Sequence, residues 1–465
     1  MKSSEYPSNA DKRAYGTQED ERRLFFLATV AFGTALALGG AGADFPMLGA
    51  VVELVSLLLL YYLLLLLARG KARARWPYAV AAVILAVPAL QLVPLPPELW
   101  KSLPGRDLPL EILRLTGVGT GWKSISLQPE ATLTTAFELI PGLALFLAAA
   151  NLQRRHVRLL ALLVAGAATV SVLLGMMQSL SAGSSGNLFD SPHARFGAGL
   201  FVNRNHQATL LLMAIPLAAA ALRSAPGRLQ VSTALAAGLV FFLSIGVLIT
   251  RSRTGLALLP LAVTAAMLIS IPVRWTPRRL VGMAAALVLL GGLATQSWVV
   301  QTTMRRFADD PEQRTDYWRD SAIAIERYWP VGSGVGTFPQ VYKTVESLDV
   351  VGRHEVNNAH NDYVELALET GLTGALLIAA FVAFLATACV KLWRLATKGR
   401  ELALETAAAT GVIIVLLHSV VDYPLRMLSV MASFGLLCGL LIRIFLRNSA
   451  ERDHDRDLVT EERPQ

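Results

Sequence analysis

The sequence is short of charge and of cysteine, and each shortage closes off a class of protein. Only 16% of its 465 residues are charged, where a soluble domain carries about a quarter. Its two cysteines, Cys389 and Cys438, both lie in apolar stretches, far apart and without metal-type spacing. They read as buried small hydrophobes, not as a disulfide framework. The stretch H-E-V-N-N-A-H is not a zinc pair, because His354 and His360 are six apart and a helical pair needs i and i+4. G-S-G-V-G (332–336) lacks the lysine and flanking strand of a phosphate-binding loop and reads as a turn. There is no internal repeat and no low-complexity tract.

What the chain does have is apolar sequence. It is 54% hydrophobic with a positive mean hydropathy. Length alone suggests about three domains, but a helix of roughly 20 apolar residues spans a bilayer, and many such runs override that prior. The expected fold is an all-α polytopic membrane protein with about twelve transmembrane helices. The runs lie near 24–41, 47–68, 76–95, 131–150, 157–180, 206–222, 229–250, 254–273, 279–300, 371–392, 402–421 and 427–446. Basic residues test this layout, since they concentrate in cytoplasmic loops. With Lys12, Arg13, Arg22 and Arg23 inside, every second loop is rich in Lys and Arg, from Arg69–Arg75 through Arg154–Arg158 to Lys391–Arg400. Both termini are therefore expected in the cytoplasm. The net charge of +8 is mostly an orientation signal and not a nucleic-acid footprint.

The expected organisation is a cytoplasmic disordered tail (1–23), nine spans (24–300), a large outward loop (301–370), three spans (371–446) and a second cytoplasmic tail (447–465). Ala41-Gly42-Ala43 resembles a signal-peptidase site, but the long acidic segment before the first span is unusual for a signal peptide. Glu53, within the second span, is an intramembrane carboxylate, either functional or close enough to the helix end to reach the interface.

Polar residues gather in three outward segments. Residues 96–130 are rich in proline and glycine, and read as irregular and partly interfacial. Residues 183–205 run into F-V-N-R-N-H-Q-A (201–208). Residues 301–370 run into N-N-A-H-N-D-Y-V-E-L-A-L-E-T-G (357–371). Arg204, Arg251 and Arg253 sit on outer loop ends, against the positive-inside bias. Each needs a carboxylate, a headgroup or an anionic substrate, and a planar guanidinium fork suits diphosphate. Asn357 or Asn358 is expected to cap a helix beginning near Ala359. In that helix His360 would share a face with Val364, Ala367 and Gly371, away from Asp362, Glu365 and Glu369. A helix N-terminus disfavours imidazolium, and a neutral imidazole there can be a general base or simply satisfy a loop carbonyl.

Together, F-V-N-R-N-H-Q-A, the turn R-S-R-T-G (251–255), R-T-D-Y-W (314–318), P-V-G-S-G-V-G-T-F (330–338) and N-A-H-N-D-Y-V-E-L-A-L-E-T-G (358–371) resemble the O-antigen ligase and polymerase family. S-L-Q-P-E-A-T (126–132) is a weaker match. The resemblance implies a glycosyltransferase-C-like fold with a large periplasmic loop between spans nine and ten, in a bacterial inner membrane. It implies a metal-independent, inverting transfer of a glycan from an undecaprenyl-diphosphate carrier to a glycan or lipid A-core acceptor, without cofactor. By motif, His360 falls on the catalytic position, and Arg204 with Arg251 or Arg253 on the diphosphate-binding positions. Asn203, His206, Arg314, Asn361, Asp362 and Glu365 are supporting positions. Ligase and polymerase stay open, with a slight lean towards a polymerase for a surface polysaccharide. A lipid-linked glycan flippase is the alternative. It would place ionisable groups near mid-membrane, whereas here they gather at one face.

Overall fold

The computed structural model describes residues 17–223, 229–270, 312–348, 351, 355–397 and 401–461. The chain is a nearly all-helical membrane protein. Its helices are α1 (Gln18–Leu38), α2 (Pro46–Ala68), α3 (Trp76–Leu92), α4 (Pro97–Ser102), α5 (Asp107–Leu115), α6 (Pro129–Asn151), α7 (Arg154–Leu180) and α8 (Arg204–Arg223). They continue with α9 (Leu229–Thr250), α10 (Arg253–Ser270), α11 (Glu312–Tyr328), α12 (Phe338–Tyr342), α13 (Asp362–Thr397), α14 (Ala403–His418) and α15 (Leu428–Glu461). Short 3-10 turns cover Ala194–Phe196 and Pro424–Arg426. Two short strands, β1 (Pro94–Leu95) and β2 (Lys123–Ser124), pair antiparallel and close the base of the 96–130 segment.

Among the described residues, eight helices are long and apolar enough to cross a membrane: α2, α6 to α10, α13 and α15. α3 and α14 are apolar but shorter. The first expected span, 24–41, overlaps α1, which begins earlier, at a capping box of Thr17 with Asp20, and ends at Leu38. The ninth expected span, 279–300, lies outside the described residues. α15 runs past 446 to Glu461, into a stretch expected to be disordered. Extending an existing helix needs no new nucleus, so a charged tail rich in Glu and Arg can continue it.

α8 is the centre of the bundle. Its sequence is apolar on every face, so it can be surrounded, and it packs against α7, α9, α10 and α14. In its apolar window 89% of the residues are buried, against 17% in α13, which lies at the periphery. α15 packs closely on α6. Gly435 and Gly439, four residues apart, bring the backbones together, and a Cβ there would meet Gly142 O at 2.0 Å and Phe146 O at 2.4 Å. Such small-residue spacing is how membrane helices gain contact where lipid gives no hydrophobic drive.

The loop end is a second, smaller core. Ala324, Tyr328, Phe338, Val341, Tyr342, Ala359 and Leu368 pack together there. G-S-G-V-G is a turn, as expected, and it knits the loop to two spans. Ser333 N and Gly334 N donate to Leu368 O and Glu369 O, and Leu127 N donates to Ser333 O. Gln91, at the end of α3, accepts from Val335 N and donates to Glu369 O, both at 2.9 Å. Thr132 donates to Val335 O at 2.7 Å and bonds Ser126 at 2.7 Å, so the weaker S-L-Q-P-E-A-T motif packs on this turn. Gly371 divides α13 with φ 56, and a Cβ there would lie 2.1 Å from Pro330 O. That kink separates a loop helix, 362–370, from the apolar span that follows.

Candidate functional site

His360 is not on a helix. It stands before α13 with φ 51, and the expected cap at Asn357 or Asn358 is replaced by Asn361. The Asn361 carboxamide oxygen accepts from Tyr363 N at 3.0 Å and Val364 N at 3.1 Å. Two amides of the first turn are satisfied by a cap that lies further along the chain than the sequence suggested, so the helix starts at Asp362. The expected shared face with Val364, Ala367 and Gly371 therefore does not form. The separation of His360 from its own acidic neighbours does hold, for a different reason: they point elsewhere.

Glu365 and Glu369 are buried and converge on one cation, Arg426, at 3.0 and 2.8 Å. Burial works against the Arg426 charge, but Glu369 and Glu365 outweigh it and hold the guanidinium protonated. The other Glu365 oxygen accepts from Ala359 N at 2.7 Å, directly before His360. Asp362 accepts from Ser419 Oγ at 2.6 Å, and its own N–H donates to Ser419 O at 3.0 Å. The acidic stripe thus clamps the histidine-bearing turn onto the loop that follows α14.

The partner of His360 comes from that same loop. His360 Nδ1 lies 3.3 Å from Oδ1 of Asp422, which is buried. Tyr317 stacks near His360, with ring centroids 6.4 Å apart, and Tyr423 meets it edge-on at 4.9 Å. The other Asp422 oxygen accepts from Asn205 Nδ2 at 2.7 Å. His206 Nε2 lies 3.9 Å from Oδ1, and its ring packs against Tyr423. Burial alone would push the Asp422 carboxyl up. The hydrogen bond to His360 and the potentials of His206, His360 and His418 outweigh it, and hold the carboxyl well below the usual range. A carboxylate only accepts, so Nδ1 of His360 carries the donated proton, and the neutral form of the ring has its lone pair on Nε2.

The first turn of α8 links this pair to the arginines. Asn203 caps it, accepting from Asn205 N at 2.9 Å. The next residue, Arg204, sends its guanidinium over the Phe196 ring at 4.4 Å. Arg251, with φ 49 in the turn between α9 and α10, approaches the same ring at 5.8 Å, and Arg195 does so at 4.7 Å. Arg253 opens α10. The side chain of Arg314 lies outside the described residues. His193 belongs to this neighbourhood too. Burial, and then the positive charge of Arg204, push its imidazole down to about 4, so it is neutral at pH 7.

The structure therefore joins His360, His206, Asn203, Asn205 and Arg204 to residues that no motif marked: Asp422, Tyr423, His418, His193 and Arg426. The sequence signal for Asp422 was faint. H-S-V-V-D-Y-P-L-R (418–426) is a polar interruption between two apolar runs, on the same face as the arginines. Among the described residues, no group of His, Cys, Asp and Glu is placed to hold a metal ion.

The family model for O-antigen ligase matches residues 238–379, less than half of the chain. A search of the curated proteins finds no match. The matched segment holds Arg251, Arg253 and His360, while Arg204 and Asp422 flank it on either side. Over that segment the chain is similar to the O-antigen ligase family.

Proposed function

We propose that this membrane protein is a glycosyltransferase of the periplasmic face. It takes a glycan from an undecaprenyl-diphosphate carrier and passes it to a sugar hydroxyl. The acceptor is a lipid A-core sugar if the protein is a ligase, or a second carrier-linked unit if it is a polymerase. One observation carries the reading: a single buried carboxylate, Asp422, contacts both His360 and the helix mouth that bears Arg204.

The chemistry follows from this placement. The acceptor hydroxyl gives its proton to Nε2 of His360 as its oxygen bonds the anomeric carbon. The bond from that carbon to the diphosphate oxygen breaks from the opposite face, which inverts the centre. The leaving diphosphate takes the electron pair, and the guanidiniums of Arg204 and Arg251 meet the growing charge, as preorganised donors do at developing anions. Asp422 orients the imidazole and balances the imidazolium that forms. The apolar spans hold the polyprenyl tail while the reaction proceeds at the membrane edge.

The test is genetic. A host lacking the gene is complemented with wild type, His360→Ala or Arg204→Ala, and its surface polysaccharide is run on a gel. Loss of all capped lipid A-core in the deletion identifies a ligase, and a single unit left on the core identifies a polymerase. Both variants are expected to reproduce the deletion pattern at normal expression. A full wild-type ladder from both would sink the reading.

A further inference from the structure

Arg195, Phe196, Arg204 and Arg251 form an arrangement that the proposed chemistry uses only in part. Three guanidinium carbons lie 4.7, 4.4 and 5.8 Å from the centroid of one ring. All three are within the ~6 Å range over which a ring quadrupole attracts a cation. They come from three separate places: the 3-10 turn Ala194–Phe196, the first residue of α8, and the turn before α10. Drawing three like charges together costs Coulomb energy, and the Phe196 ring offsets part of it by standing among them. Its position is fixed by the turn. Ser191 N and Oγ bond Asn187 Oδ1 and Val202 O, and Phe196 N donates to His193 O at 2.9 Å. Phe196 is half-buried and Arg195 is exposed, so the cluster opens outward through Arg195. A diphosphate offers several anionic oxygens, more than two guanidinium forks can cover.

We infer that Arg195 is a third diphosphate-binding guanidinium and that Phe196 is the positioning residue that holds the three in register. The inference rests on the diphosphate reading above. Neither residue falls within the segment matched by the family model. Arg195 takes the outer phosphate, and Arg204 and Arg251 the oxygens nearer the anomeric carbon. A missing Arg195 then weakens donor binding, which precedes the bond-breaking step, and leaves the charge at the leaving oxygen served.

The test uses the purified full chain in detergent–lipid micelles with a polyprenyl-diphosphate-linked glycan and its acceptor. Arg195→Ala is expected to raise donor KM about tenfold with kcat within twofold, a loss of ~1.4 kcal/mol, and Arg195→Lys to recover part of it. Phe196→Leu should raise donor KM similarly, and Phe196→Tyr should restore it. Inorganic pyrophosphate should inhibit wild type more strongly than Arg195→Ala. Equal inhibition would place the source of affinity in the lipid and glycan, against the inference. If Arg204→Ala loses turnover while Arg195→Ala keeps the wild-type donor KM, the inference fails and the diphosphate reading stands. If Arg204→Ala turns over normally, the diphosphate reading itself fails. Should Phe196→Leu not fold, the two Arg195 variants decide the matter.

Discussion

Asp422 is the residue on which the site turns, and its local sequence announced it only faintly. His360 stood out because histidines are few and the motif around it is dense. Asp422 sits in a short connection, and its importance comes from four residues on three other segments: Asn205 and His206 on α8, His418 at the end of α14, and His360. The arginine turn shows a similar limit. Spacing left Arg251 and Arg253 equivalent, whereas the backbone at Arg251, with φ 49, turns that side chain towards Phe196. A depressed carboxyl has a consequence for stability. The Asp422 contribution is present above the unfolded carboxyl value of about 3.9, and is lost as pH falls from there towards the lower folded value. The melting temperature of the detergent-solubilised protein should therefore fall between pH 5 and pH 3, and Asp422→Asn should flatten that slope. Parallel slopes for the two proteins would speak against the His360–Asp422 pair.

At the scale of elements, the apolar runs were readable because a span must satisfy its backbone internally, and that demands a long apolar helix. Helix ends were less readable. The cap at Asn361 and the break at Gly371 depend on what the loop packs against, namely the Ala359 amide held by Glu365 and the Pro330 carbonyl. The acidic stripe of α13 was visible as a stripe, but its purpose needed Arg426, 57 residues beyond Glu369. That cation now serves as an element-level test. Removing it leaves Glu365 and Glu369 buried without their shared partner, a change that costs about 3–5 kcal/mol when a buried pair is broken. Arg426→Ala should lower the melting temperature sharply, and Arg426→Ala with Glu365→Gln and Glu369→Gln should recover much of the loss. An unchanged melting temperature in the single variant would mean that the clamp does not hold the histidine turn.

Across the whole molecule, the alternation of basic loops set an orientation before any helix was placed. It puts the loop helices and the arginine cluster at one end of the bundle, and Lys71, Arg154 and Arg443 at the other. The ion pairs at that second end, Lys71 with Asp20 at 2.7 Å and Arg154 with Glu405 at 3.1 Å, bind the first loops to α1 and α14. They lie apart from the candidate site. Cysteine labelling checks the orientation. In a background with Cys389 and Cys438 replaced, Leu348→Cys, at a position 90% exposed, should react with a membrane-impermeant maleimide in spheroplasts, and Gly70→Cys only after lysis. The reverse pattern would place the histidine loop in the cytoplasm.

The central claim is that His360 takes the proton of the acceptor hydroxyl. The most direct measurement is turnover of the purified protein and of His360→Ala, with donor binding followed separately. General-base catalysis contributes about 10²–10⁴-fold, so the account predicts a loss of kcat in that range with donor affinity kept within a few fold. A His360→Ala protein that transfers glycan at the wild-type rate would contradict it.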